Sequence, residues 1–194
     1  MWLREAVLIL TVSVAVLGLL FAIRRILAAS SESAASDAGP PRGNAGVIAP
    51  PPVIFLAFLA LAAVLEALAP SPTATLFRHA RYVTGAAILI IGLLIGIAGL
   101  RGLRAAATNV STDLPTTALV VNGIYGRSRN PLYLAMALAY IGLAIAAGSV
   151  WAVTLLLPLL VLIHVGVISR EEKYLEREFG DMYRQYKSRV RRWL

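Results

Sequence analysis

Residues 131–169 read PLYLAMALAYIGLAIAAGSVWAVTLLLPLLVLIHVGVIS, thirty-nine positions with no lysine, arginine, aspartate or glutamate. A membrane-crossing helix needs about 20 mostly apolar residues at a rise of 1.5 Å each. The stretch holds two such segments, 131–147 and 150–169, with only Gly148 and Ser149 between them. That joint is too short for a folded loop, so the two segments are expected to form a tight antiparallel helical hairpin.

Three more apolar stretches lie upstream, at 5–23, 53–69 and 82–100. The first reads as an anchoring span, because its apolar run is longer than the hydrophobic region of a secretory signal peptide. Between it and the second lies SSESAASDAGPPRGNAGVIAPPP, whose serine, glycine, proline and alanine bias marks an irregular linker. The expected fold is therefore all-α: one polytopic membrane domain over 1–194, with five transmembrane helices, a C-terminal hairpin and an amphipathic tail. Composition agrees. Of 194 residues 59% are hydrophobic and 14% charged, against about 45–50% and about 25% in soluble domains. The mean hydropathy is +0.77.

The formal net charge is +8. With so apolar a chain, this excess points to an anionic membrane surface rather than to nucleic acid. In a five-span arrangement one side collects fifteen of the eighteen basic residues. The positive-inside rule then places the N-terminus outside and the tail in the cytoplasm. There is no cysteine, which excludes disulfides, a thiol nucleophile and cysteine-ligated zinc or iron–sulfur clusters. His79 and His164 lie too far apart in sequence to make a good metal site, and no metal is expected. No phosphate-binding GxxxxGK[ST] loop or GxGxxG is present, so a soluble-type methyltransferase or dehydrogenase domain is not supported.

The polar residues concentrate in 101–130 and in the tail 170–194, which carries eight basic and five acidic side chains. In the tail Leu175, Phe179, Met182, Tyr186, Val190 and Trp193 recur at helical spacing, with Gly180 as a break. Such a helix is expected to lie on the membrane surface. Asn130 precedes Pro131 and is expected to cap the fourth span. Arg129 is either an interfacial cation or part of an anion site at that helix start. The adjacent Glu171 and Glu172 are either a solvated helix start or a site for a cation such as a sulfonium or an α-ammonium. His164 lies two turns before Glu171 on the expected helix, lining a polar site or satisfied by a neighbour. Glu66 is expected to reach the interface, and Gly92-x-x-x-Gly96 to serve internal helix packing.

These residues, in this order, resemble the isoprenylcysteine carboxyl methyltransferase family, itself similar to the membrane phospholipid methyltransferases. LVVNGIYGRSRNPLYLA carries the resemblance at Leu119, Val120, Gly123, Tyr125, Arg129, Asn130, Pro131 and Tyr133. The tail carries it at Glu171, Glu172, Leu175, Phe179, Gly180, Tyr183, Tyr186, Val190 and Arg192. Residues 108–110 are similar to a looser upstream segment. Ala135 stands where the family often has glycine, Asn130 where histidine is commoner, and Arg191 where proline usually precedes the last arginine. The resemblance covers 100–194.

The resemblance implies S-adenosylmethionine as cofactor, with S-adenosylhomocysteine as product. It places the cofactor among Tyr125, Asn130, Pro131, Tyr133, Leu134, His164, Glu171, Glu172, Tyr183 and Tyr186. It gives Arg129 and Glu171 the catalytic roles, and 101–194 the catalytic region beneath three N-terminal spans in 1–100. The implied reaction is methyl transfer to the α-carboxylate of a prenylated cysteine. The rivals are methylation of a phospholipid amine or another small lipophilic acceptor, and a non-catalytic membrane protein with a basic lipid-binding tail.

Overall fold

A computed structural model describes residues 46–109 and 116–194. The expected first span and most of the linker lie outside the described residues. Every regular element among the described residues is helical. They are α1 (Pro51–Leu68), α2 (Arg78–Ala105), α3 (Pro131–Ala147), α4 (Val150–Ile163) and α5 (Ser169–Arg189), with short 3₁₀ turns at Pro72–Thr75 and Gly123–Gly126. A π-turn, His164–Ile168, joins α4 to α5, so that one helical rod runs from Val150 to a kink at Gly180. That rod, α1 and α2 are long and apolar enough to cross a membrane. At 17 residues, α3 is at the short end of what spans a bilayer.

The hairpin forms as the sequence demands. Gly148 ends α3 at φ 65°, a left-handed conformation that costs glycine nothing. Ser149 then caps α4 by accepting from the Ala152 amide. Glu66 secures this end of the bundle. Its carboxylate accepts from the Ser71 amide at 2.5 Å, from Ser71 Oγ at 2.7 Å and from Ser149 Oγ at 2.6 Å. Instead of merely reaching the interface, Glu66 therefore ties the end of α1 to the hairpin joint. Trp151 adds a hydrogen bond from its indole nitrogen to the Ala69 carbonyl at 2.6 Å.

Helices α2 and α3 pack along a glycine seam. Gly85, Gly92 and Gly99 are the buried residues of α2 and lie seven apart. A Cβ on Gly85 would stand 2.6 Å from the Gly142 carbonyl oxygen, and one on Gly92 2.9 Å from that of Ala135. Without lipid-excluding driving force inside a bilayer, such close backbone approach is how helices gain dispersion energy. The GxxxG pair thus divides. Gly92 belongs to the seam, whereas a Cβ on Gly96 would meet only the Ala135 Cβ, at 3.3 Å. At 28 residues α2 is about 42 Å long, and its last turns extend the wall of the polar end of the bundle.

The tail departs from its expected face. Gly180 does break it, with φ 53° and ψ −124°. The helix restarts in a new phase, so Tyr183 and Tyr186 are buried and Met182 is 66% exposed. The buried face of α5 closes over 125–133 instead of presenting an apolar stripe to lipid.

Candidate functional site

Between α2, α3 and α5 lies a cavity of about 630 Å³. Its walls come from the start of α1 (Pro50, Pro51, Pro52), the C-terminal half of α2 (Gly96, Leu100, Leu103) and the return segment Ala118, Leu119 and Val120. Tyr125, Arg129, Asn130, Pro131, Leu132, Tyr133 and Met136 follow, then Glu171, Glu172, Tyr174, Leu175, Tyr183 and Tyr186. The two sequence motifs therefore meet across one space, brought together because the α3–α4 hairpin returns the start of α5 to the start of α3.

One end is polar. Tyr133 Oη donates to Glu171 Oε2 at 2.7 Å. Glu172 sits between two guanidinium groups. Arg192 takes both its oxygens, Nε to Oε1 at 2.9 Å and Nη2 to Oε2 at 2.5 Å. Arg129 approaches with Nη2 only, 3.3 Å from Oε1. Both Arg129 and Glu172 are nearly buried, with side chains 9% and 7% exposed. The Nε and Nη1 of Arg129 are buried and have no hydrogen-bond partner among the described residues. Unpaired buried donors on a cation are costly, and their presence in a cavity wall marks a place for an anion. Tyr186 Oη donates to the Tyr125 carbonyl at 2.7 Å. Burial, with the Glu171 charge second, pushes the Tyr125 phenol well above its usual range, so it stays neutral. The hydrogen bonds from Arg192 to Glu172 raise the Arg192 pKa, outweighing the opposing effect of its burial. Gly96, Leu100, Leu103, Leu132 and Met136 make another part of the lining apolar.

The chain's C-terminal segment straps this arrangement down. The Arg129 amide donates to the Arg191 carbonyl at 3.0 Å, and Asn130 Nδ2 donates to the Arg192 carbonyl at 3.0 Å. Asn130 occupies the N-cap position of α3, yet its side chain makes no cap hydrogen bond. It serves the strap instead, which corrects the capping expectation.

Of the expected site residues, all line the cavity except Leu134 and His164. At about 100° per residue, Pro131, Leu132, Tyr133, Ala135 and Met136 cover one side of α3 and Leu134 falls on the other. His164 faces a separate small pocket with Leu160, Val161, Val165 and Trp193. The π-turn explains this. Its extra residue rotates His164 off the face of Glu171 and onto that of Glu172, where His164 Nε2 meets Arg192 Nη1 at 2.8 Å. Several wall residues were not anticipated: the α1 prolines, Gly96, Leu100, Leu103, Met136 and Tyr174. The prolines, Gly96 and Leu100 lie in 1–100, so the cavity is not confined to 101–194. Tyr174 could have been found, since it lies three residues after Glu171 on one helix face; its hydroxyl accepts from the Thr116 amide at 3.0 Å. Ala135, where the family often has glycine, is accommodated by Gly96 opposite. Among the described residues no cluster of three or more histidine or carboxylate side chains could hold a metal.

An all-helical membrane protein with an amphiphilic cavity at one end of its bundle is thus defined by fold and site. A family model for phospholipid methyltransferases matches residues 80–182. The chain belongs to this family of membrane methyltransferases. An uncharacterized protein of Haemophilus influenzae is 70% identical to it over 27 residues, 14% of this chain and 43% of that protein. The chain therefore aligns with less than half the length of that relative. No solved structure matches. The donor set fits S-adenosylmethionine: open Arg129 donors suit a carboxylate, Glu171 suits an ammonium or ribose, and the tyrosines offer flat apolar surface to a purine.

Proposed function

We propose that this protein transfers a methyl group from S-adenosylmethionine to the α-carboxylate of a prenylated cysteine, giving a methyl ester. The reading rests above all on the unpaired Arg129 donors in the wall of a cavity whose lining is otherwise largely apolar. An acceptor with an anionic head on a lipid chain has that polarity. When bound, S-adenosylmethionine supplies an electrophilic methyl on a sulfonium and leaves as S-adenosylhomocysteine. Arg129 holds an anionic group, of cofactor or acceptor. Glu171, oriented by Tyr133, holds the cofactor's ammonium or ribose. Tyr125, Tyr183 and Tyr186 exclude water, and Leu100, Leu103, Leu132 and Met136 receive the lipid chain. An α-carboxylate with a pKa of about 3.3–3.7 is already ionised at neutral pH. No general base is needed, and alignment with desolvation carries the rate.

The domain is placed with its N-terminus outside and its tail in the cytoplasm. There the exposed Lys173, Arg177, Arg184, Lys187, Arg189 and Arg191 face anionic lipid. Cofactor enters from the cytoplasm and lipid laterally between helices.

A second reading, methylation of a phospholipid amine, is favoured by the description of the matching family and by Glu171, which suits a cationic headgroup. Family membership speaks against the non-catalytic reading. The test uses the purified protein, methyl-labelled S-adenosylmethionine, and either N-acetyl-farnesylcysteine or phosphatidylethanolamine vesicles. Base-released labelled methanol with the prenylcysteine, at a rate flat between pH 6 and 9 (roughly, since the acceptor pKa lies far below), supports the ester. Base-stable label in lipid, with a rate rising through the amine pKa, supports the second reading and overturns the first.

A further inference from the structure

Glu172 has two oxygens and two arginines around it, and the sharing is unequal. In an isolated pair, the Arg129 fork would close on both oxygens, since bidentate guanidinium–carboxylate contacts are the strong ones. Arg129 would then be neutralised and its donors spent. Here Arg192 holds both oxygens, and Arg129 touches Oε1 from the side with one nitrogen. Among Arg129, Arg192 and Glu172 one positive charge is left over, with Glu171 as the next carboxylate, and Arg129 keeps two donors unpaired among the described residues.

Arg192 is itself fixed from two directions. Its Nη1 donates to His164 Nε2, which assigns the ring proton to Nδ1, because arginine can only donate. Its carbonyl accepts from Asn130. We infer that Arg192 is a positioning residue that sets the anion affinity of Arg129 by occupying Glu172. His164 and the C-terminal strap hold it in place. The inference rests on the proposed role of Arg129 as the anion holder.

The experiment titrates S-adenosylhomocysteine and N-acetyl-farnesylcysteine, separately, into the full-length protein in detergent. The ligand weakened by Arg129→Ala is the anion Arg129 holds, and it is the one to follow. R192Q is expected to weaken that ligand about tenfold, the effect of losing one charge-assisted contact. R192Q/E172Q is expected to recover most of the loss, because no carboxylate is left to capture Arg129. A purely structural role for the strap predicts no recovery. Wild-type affinity in R192Q, or a double variant no tighter than R192Q, overturns the role of Arg192 while leaving Arg129 in place. Unchanged affinity for both ligands in Arg129→Ala overturns the Arg129 reading and this inference with it. Should R192Q lose its helical circular dichroism, R192K carries the test, since one ammonium cannot span both Glu172 oxygens. It is expected to bind about threefold more weakly and to be relieved by E172Q; wild-type affinity in R192K overturns the inference equally.

Discussion

Tyr133, in the first turn of α3, donates its hydroxyl to Glu171, three residues into α5, at 2.7 Å. The bond joins the two motifs across the cavity and fixes the orientation of the Glu171 carboxylate in its wall. Tyr133→Phe removes that orientation without removing the carboxylate. Turnover is expected to fall about tenfold, the scale of a hydrogen bond to a charged group. Helicity should be unchanged. Methyl transfer measured at saturating cofactor checks it.

Arg129→Ala is expected to lower turnover by more than about 100-fold, as two or more charge-assisted contacts are lost. Stability should suffer less than removal of a buried ion-pair partner usually costs, about 3–5 kcal/mol, because Arg192 still holds both Glu172 oxygens. Thermal unfolding in detergent, alongside turnover, separates the two effects. Wild-type turnover would remove Arg129 from the mechanism.

The two glycines of GxxxG should respond oppositely to alanine. At Gly92 a methyl meets backbone, 2.9 Å from the Ala135 carbonyl oxygen, and overpacking costs about 1–3 kcal/mol. At Gly96 the neighbour is a methyl group at 3.3 Å, and helix propensity offsets the crowding by up to about 1 kcal/mol. Unfolding midpoints of G92A and G96A give the comparison. Equal losses would dissolve the seam.

Glu66→Ala strips three hydrogen bonds from Ser71 and Ser149 and is expected to destabilise by about 2–4 kcal/mol. The cofactor KM should not change, since Glu66 joins the bundle end that holds the hairpin joint and lines no part of the cavity. A raised KM in still-folded protein would show that the two ends are coupled.

Much of this architecture is legible in one dimension. Long apolar runs specify helices wherever they are packed. The Gly148–Ser149 joint admits only a reversal, and Gly180 marks a break within the polar tail. The two polar motifs, separated by an uncharged hairpin, had to return to one end of the bundle. The pairing of Tyr133 with Glu171 is therefore a consequence of span length.

Other features depend on tertiary packing. A π-turn leaves no periodic mark in His-Val-Gly-Val-Ile, yet one extra residue in that turn moves His164 from the face of Glu171 to that of Glu172. The phase of α5 after Gly180, which buries Tyr183 in place of Met182, follows from how that helix seats over Tyr125. The division of Glu172 between Arg129 and Arg192 is of the same kind. Residue types and spacing determined that two arginines and two carboxylates would gather at one end of a helical bundle. Which arginine would be satisfied and which left open was decided by three-dimensional geometry, because hydrogen-bond partners depend on distances of a few tenths of an ångström that no linear pattern encodes.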